Sequence, residues 1–299
     1  MPTHAEVIRD GAIRLANAGV ASPDNDAAEL LAFAHGCARN ELRMFDEVAL
    51  ESRELFEILV ERRCAREPLQ HITGVAYFRY LTLNVGQGVF VPRPETELLG
   101  EAAIRFINER ARSGKRNLVV ELCAGSGALA IAIATEVPDT DVHAVEISPE
   151  AFSWLAKNVD AHADALESAG SSITIYCADA GDESVLASLN GKVDVVVTNP
   201  PYIPQEMIPR DPEARDHDPA LALFGGEDGL DVARRVARVA SALLKPGGFV
   251  GMEHADVQGE AVPAMFAQDV GAWVELLDNR DYNNLPRFTT GIRARREDV

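Results

Sequence analysis

From Leu118 onward the chain repeats one pattern: a short apolar run of strand length, then a segment with helical spacing. The runs are Leu118–Leu122, Val142–Ile147, Ile173–Cys177, Val193–Thr198, Phe249–Glu253 and Trp273–Leu277. Strands separated by helices join one sheet through crossovers over its faces, which makes neighbouring strands mostly parallel. Runs such as Val193–Thr198 are nearly continuous in apolar residues, as strands covered on both faces must be. The pattern predicts an α/β fold, a doubly wound, mainly parallel sheet with helices on both faces. Ligands of such sheets bind outside the carboxyl ends of the strands, so the residues just after each run carry the functional information.

The first 70 residues have a different character. Asp24 or Asn25 is placed to cap a helix over Ala27–Phe33, with Gly36 as its stop. A longer helix over Leu50 to Arg66 carries Leu55, Phe56, Leu59 and Val60 on one stripe. We expect a small all-helical domain over 1–70 that touches a substrate or partner. Tyr77–Val85 alternates like a strand, and Gly86-Gln87-Gly88 turns into Val89-Phe90-Val91, so 71–95 reads as a β-hairpin linker. Pro92-Arg93-Pro94-Glu95-Thr96 then opens a helix through Leu98, Leu99 and Ile104, and the α/β domain takes 96–299.

A formal net charge of −19 argues against broad, charge-driven binding to nucleic acid. The four cysteines are scattered, without C-x-x-C pairs or metal-ligand spacing, which suits a reduced cytosolic protein without structural zinc. The amino terminus lacks the basic and apolar regions of a signal peptide, and the longest apolar runs are too short to span a bilayer.

Val119–Leu122 runs into Cys123-Ala124-Gly125-Ser126-Gly127 and then a helix. Small residues admit a ligand close to the backbone, and a helix amino terminus offers free N–H groups. The third glycine of a dinucleotide loop is missing, Ala130 standing there, and Glu121 on the strand would repel a pyrophosphate. Glu146 ends the next strand, at the distance where an acid grips ribose hydroxyls, and Asp179 follows the third. Each acid alone is an ordinary surface charge in so acidic a chain. Three of them ending successive strands favour S-adenosylmethionine, with Glu121 toward its cationic groups and Asp179 toward the adenine amine.

Asn199-Pro200-Pro201-Tyr202 follows the strand Val193–Thr198. The Asn199 side-chain oxygen and the Pro200 carbonyl can both accept from one planar NH2 group. The prolines fix those carbonyls in an extended shape, and the Tyr202 ring offers a flat face to a planar amide or base. This is what methylating an amide or amine nitrogen requires. Isolated strings of this kind are usually Pro-rich turns; here a cofactor site stands upstream.

These residues, with Gln70-His71-Ile72-Thr73-Gly74, Val91–Glu97, Glu146–Ala151, Pro219-Ala220-Leu221, Gly225–Asp231, Leu244–Gly248 and Leu285-Pro286-Arg287, resemble the HemK/PrmC protein-glutamine methyltransferases over nearly the whole chain. The resemblance implies a class I S-adenosylmethionine-dependent methyltransferase fold and methylation of the glutamine of the Gly-Gly-Gln motif of class I peptide chain release factors. S-adenosyl-L-homocysteine would be the product, and no metal would take part. It implies a cytoplasmic monomer that binds neither nucleic acid nor membrane directly. Asn199, Pro200 and Tyr202 would be catalytic. Glu121, Cys123, Ala124, Gly125, Ser126, Gly127, Glu146, Asp179, Ala180 and Asn199 would bind cofactor, and Asn199, Pro200, Pro201, Tyr202, Phe90 and Arg93 the substrate. Cys123-Ala124 replaces the family's usual Gly-Thr, Glu121 and Glu146 stand where Asp is common, and Ala180 replaces an aromatic residue beside the adenine, a loss of about 1 kcal/mol. The Gly225–Asp231 stretch reads as a turn and helix start within a lid. His71, His217 and His254 read as loop or packing residues, and Asp216-His217-Asp218 as a solvated acidic loop. Other readings are a glutamine methyltransferase of a large-subunit ribosomal protein, a nucleic-acid adenine methyltransferase, and a non-enzymatic S-adenosylmethionine-binding scaffold.

Overall fold

The computed structural model describes residues 2–45, 47–110, 115–269 and 272–295; the last four positions of the expected 96–299 domain lie outside them. The chain forms two compact units, residues 1–75 with 209–218, and residues 76–208 with 219–299.

The first unit is helical, with α1 (His4–Asn17), α2 (Pro23–His35), α3 (Leu50–Cys64) and α4 (Leu69–Thr73). Its core joins Leu15, Leu30, Leu31, Phe56, Leu59 and Val60. Leu55 is 39% exposed: with Phe56, Leu59 and Val60 at i, i+3 and i+4 facing inward, the residue before them falls off the stripe. Helix α2 starts at Pro23 after Ser22, upstream of the expected caps, because proline's fixed φ suits the first helical position. Gly36 ends it with φ 67°.

Asp26 is buried, and its carboxylate accepts from Arg63 Nε at 2.8 Å. Arg63 also meets Glu213 at 2.8 Å, and Glu213 pairs with Arg66 at 2.6 Å. Glu213 lies on the short helix Pro212–His217, so residues 209–218 join this unit through a buried ion-pair network.

The second unit opens on a hairpin, β1 (Val75–Phe78) and β2 (Leu81–Asn84), whose turn is Arg79-Tyr80 and not the expected Gly86–Gly88. Arg79 adopts φ 51° while its N–H donates to Glu97 and its guanidinium pairs with Glu101 and Glu136. Gly86 and Gly88 instead pass so close to Trp154 and Glu150 that a β-carbon would stand 2.7 and 2.9 Å from them.

The main sheet comprises β3 (Asn117–Leu122), β4 (Thr140–Glu146), β5 (Ser172–Cys177), β6 (Val193–Thr198), β7 (Leu244–Glu253), β8 (Trp273–Arg280) and β9 (Pro286–Arg293), in the order β5-β4-β3-β6-β7-β9-β8. Among these seven strands only β9 runs opposite to the rest, antiparallel to both β7 and β8. It escaped the sequence reading: it begins at a proline, carries arginines at both ends and has Gly291 inside, all of which weaken a strand pattern. Helices α5 (Thr96–Arg110), α6 (Ala128–Glu136) and α7 (Pro149–Ala161) cover one face through Leu99, Ile104, Leu129, Ile131 and Leu155. Helices Asp231–Leu243 and Ala261–Ala267 cover the other through Val236, Leu243, Val262 and Phe266. The order reverses direction between β3 and β6, which opens a crevice at their carboxyl ends.

Candidate active site

Leu122, Thr198 and Met252 are register partners across β3, β6 and β7. The next residues, Cys123, Asn199 and Glu253, therefore stand side by side where the sheet order reverses. The residues expected after the strands converge here because their strands are parallel and in register.

The glycine loop makes a tight left-handed path. Cys123, Gly125 and Gly127 have φ of 61°, 55° and 82°. Gly127 passes Leu155 so closely that a β-carbon would lie 2.5 Å from Cδ1, whereas the space in front of Gly125 holds no atom within 4 Å of that position. The Gly125 N–H donates to Glu146 Oε2 at 2.7 Å, and the Ser126 carbonyl accepts from Asn158 Nδ2 at 3.0 Å. Asn158 is fully buried and also exchanges hydrogen bonds with the Asn84 backbone. The Cys123 thiol is pushed up to about 12 by burial and by Glu146, so it is no nucleophile.

Glu121 is 3% exposed and accepts the Ala130 N–H of α6 at 2.9 Å. Burial pushes it up to about 8, against that hydrogen bond and with the help of Glu146. Glu146 is raised by burial, against hydrogen bonds from Ser148 and Gly125. Burial acts to raise Asp179 too, but Arg235 at 2.6 Å and the Gly181 N–H outweigh it. Ala180 is buried in the apolar layer beneath. Glu146 and Asp179 beside an open glycine position fit a ligand with hydroxyls and a cationic group, as S-adenosylmethionine has. The α6 amino terminus, which by itself would favour a pyrophosphate, has its Ala130 N–H taken by Glu121. Glu146, Asp179 and the loop 123–127 would hold it, with Glu121 behind them.

Pro200 is buried, while Asn199, Pro201 and Tyr202 are half-buried. Burial and the nearby Glu253 raise the Tyr202 phenol, with Arg287 and Arg93 opposing. The Arg93 guanidinium carbon lies over the Phe90 ring, 4.9 Å from its centre, so these two come together as a cation–π pair. The segment Gly225–Asp231, expected as part of a lid, is a brace: Gly225 N–H donates to the Ile203 carbonyl at 2.9 Å and Gln205 N–H to the Gly226 carbonyl at 2.8 Å. A β-carbon on Gly225 would lie 2.4 Å from the Pro201 carbonyl oxygen. Asn199 Nδ2 lies 3.4 Å from Thr96 Oγ1, which donates to Glu253 Oε2 at 2.7 Å. Glu253, 2% exposed, is pushed up to about 7 by burial, against Thr96 and Arg287.

His254 is buried, its ring nitrogens 3.0 Å from the Ala255 carbonyl and 3.1 Å from Thr289 Oγ1. Asp216 pairs with Arg215 at 2.6 Å. Among the described residues no group of His, Cys, Asp and Glu is arranged to hold a metal, and no helix is long and apolar enough to cross a membrane.

Residues 6–74 match the family model of the PrmC N-terminal domain, and residues 101–210 that of the methyltransferase small domain. A release factor glutamine methyltransferase of Streptomyces coelicolor is 50% identical over 282 residues, covering 94% of this chain and 95% of the relative. The chain belongs to the release factor glutamine methyltransferase family. A member from Bifidobacterium longum is 44% identical over 275 residues, covering 89% of this chain and 92% of its own. A 4-amino-L-phenylalanine/4-methylamino-L-phenylalanine methyltransferase of Streptomyces pristinaespiralis is 37% identical over 273 residues, covering 91% and 89%. Thr96, Asn158 and Glu253, which the sequence patterns do not single out, also stand at this candidate site of a release factor glutamine methyltransferase family member. Glu253 carried a usable signal, since it is an acid ending the strand beside Asn199's own. Thr96 and Asn158 carried none, because only the fold brings α5 and α7 to these loops.

Proposed function

We propose that this chain transfers a methyl group from S-adenosylmethionine to the side-chain amide nitrogen of the glutamine in the Gly-Gly-Gln motif of class I release factors. The observation that carries the reading is the position of Asn199 beside the glycine loop at the reversal of the sheet. Bound S-adenosylmethionine supplies an electrophilic methyl on a sulfonium, which departs as the neutral thioether S-adenosylhomocysteine. Asn199 Oδ1 and the Pro200 carbonyl accept the two N–H bonds of the substrate amide. Those bonds orient a nitrogen whose lone pair is delocalised, and they strengthen as it gains positive charge. Tyr202 packs on the amide plane. The nitrogen loses its proton to water only after the N–C bond forms and its acidity has risen, so the arrangement needs no base. The helical unit presents the protein substrate, and we read the enzyme as a cytoplasmic monomer acting without metal or nucleic acid.

The test is to incubate the protein with S-adenosylmethionine and a class I release factor and map methylation by peptide mass spectrometry. The expected result is one methyl on the Gly-Gly-Gln glutamine, absent with Asn199→Ala, while cofactor affinity stays within about threefold. A methyl on a ribosomal protein, a nucleic acid or a small aromatic amine instead would replace the substrate. Normal turnover by Asn199→Ala would overturn the mechanism.

A further inference from the structure

We infer that Thr96 and Glu253 are positioning residues that fix which way round the Asn199 amide faces, through the hydroxyl that joins them at 2.7 Å and 3.4 Å. The inference rests on the methyl-transfer reading, in which Asn199 must offer its oxygen. A side-chain amide carries an acceptor and a donor of nearly equal size, so shape alone does not distinguish its two orientations. Turned round, Asn199 would set its NH2 against the substrate's NH2, two donors facing each other.

The Thr96 hydroxyl has one proton. Above about pH 7 Glu253 is ionised and its carboxylate has only acceptors, so there that proton points to Glu253. The Thr96 oxygen is then left with lone pairs toward Asn199, and only Nδ2 can answer them. Oδ1 is thereby directed away from Thr96, free for the substrate. Thr96 is 5% and Glu253 2% exposed, so water competes little for these bonds. The three groups come from separate elements, the start of α5 and the carboxyl ends of β6 and β7. Parallel register sets Asn199 beside Glu253, and α5 brings Thr96 to both.

The test compares Thr96→Val, which removes the hydroxyl at equal volume, with Thr96→Ser, which keeps it. For transfer to a purified class I release factor, kcat is expected to fall about 10- to 100-fold in Thr96→Val. The Kd for S-adenosylmethionine should stay within about threefold of wild type, and Thr96→Ser should restore kcat to within about threefold. In parallel, the Asn199 side-chain 15N–1H2 signals, assigned by their loss in Asn199→Asp, should exchange slowly with water in wild type and Thr96→Ser, and fast in Thr96→Val. Wild-type kcat in Thr96→Val, or a Thr96→Ser as slow as the valine variant, overturns the inference. So does fast exchange of the Asn199 protons in the wild type, which needs no variant to fold. The exchange measurement needs no acceptor. Slow exchange in a wild type inert toward the release factor would support the relay while overturning the substrate reading.

Discussion

A β-carbon on Gly229 would stand 2.3 Å from the carbonyl oxygen of Tyr202, and Gly229 itself has φ +78°. The loop that carries Asn199 is thus held by backbone against backbone, with Gln258 Nε2 adding a hydrogen bond to the same carbonyl at 3.0 Å. Gly229→Ala meets both the left-handed strain, about 1–2 kcal/mol, and the close approach. We expect a lower Tm and a kcat reduced about tenfold or more, with cofactor affinity nearly unchanged. Unchanged kcat in calorimetrically destabilised protein would separate the brace from catalysis.

Glu121 links stability to pH. Its folded pKa, about 8, lies above the ordinary 4.5, so the native state holds the proton that the unfolded chain releases. Its contribution is fully favourable below about 4.5 and is lost as pH rises toward 8. Glu121→Gln keeps an acceptor for the Ala130 N–H without the charge. The variant should gain Tm over wild type as pH goes from 5 to 8 in differential scanning calorimetry of the cofactor-free protein, and should bind S-adenosylmethionine more weakly.

Asn158 serves three backbone groups: the carbonyls of Ser126 and Asn84 and the Asn84 N–H. Asn158→Leu leaves them unpartnered at about 1–3 kcal/mol each and frees the glycine loop. Isothermal titration should show a weaker Kd for S-adenosylmethionine; an unchanged Kd would mean the loop keeps its shape alone.

Arg63 is 7% exposed between Asp26 and Glu213. Removing it in Arg63→Met strands the buried Asp26 carboxylate and leaves Glu213 with Arg66 alone, a loss of about 3–5 kcal/mol, measurable by urea denaturation. Burial acts to raise Glu213, but Arg66, Asp211 and Arg63 hold it well below the ordinary carboxylate range. Its stabilisation is therefore present above about pH 4.5 and lost as pH falls, the opposite sense to Glu121.

The parallel sheet was legible because its central strands, such as Val193–Thr198, are buried on both faces and so show it in composition. Asn199 and the glycine loop were legible because chemistry concentrates at strand ends. The antiparallel β9 was not, since proline and arginine at its ends hide a strand whose centre is buried. Thr96 was invisible for another reason: a threonine opening a helix looks like any other cap, and only the neighbouring strand end gives its hydroxyl a partner.

Residues 209–218 belong to the helical unit, while the chain on either side of them belongs to the sheet unit. The boundary is therefore crossed by the polypeptide three times. A recombination event, or an engineer grafting the helical portion onto another methyltransferase, cannot carry it as one contiguous stretch. The graft would leave Arg63 and Arg66 without Glu213 unless the distant ten residues travelled with it, so inheritance of the two parts is tied together.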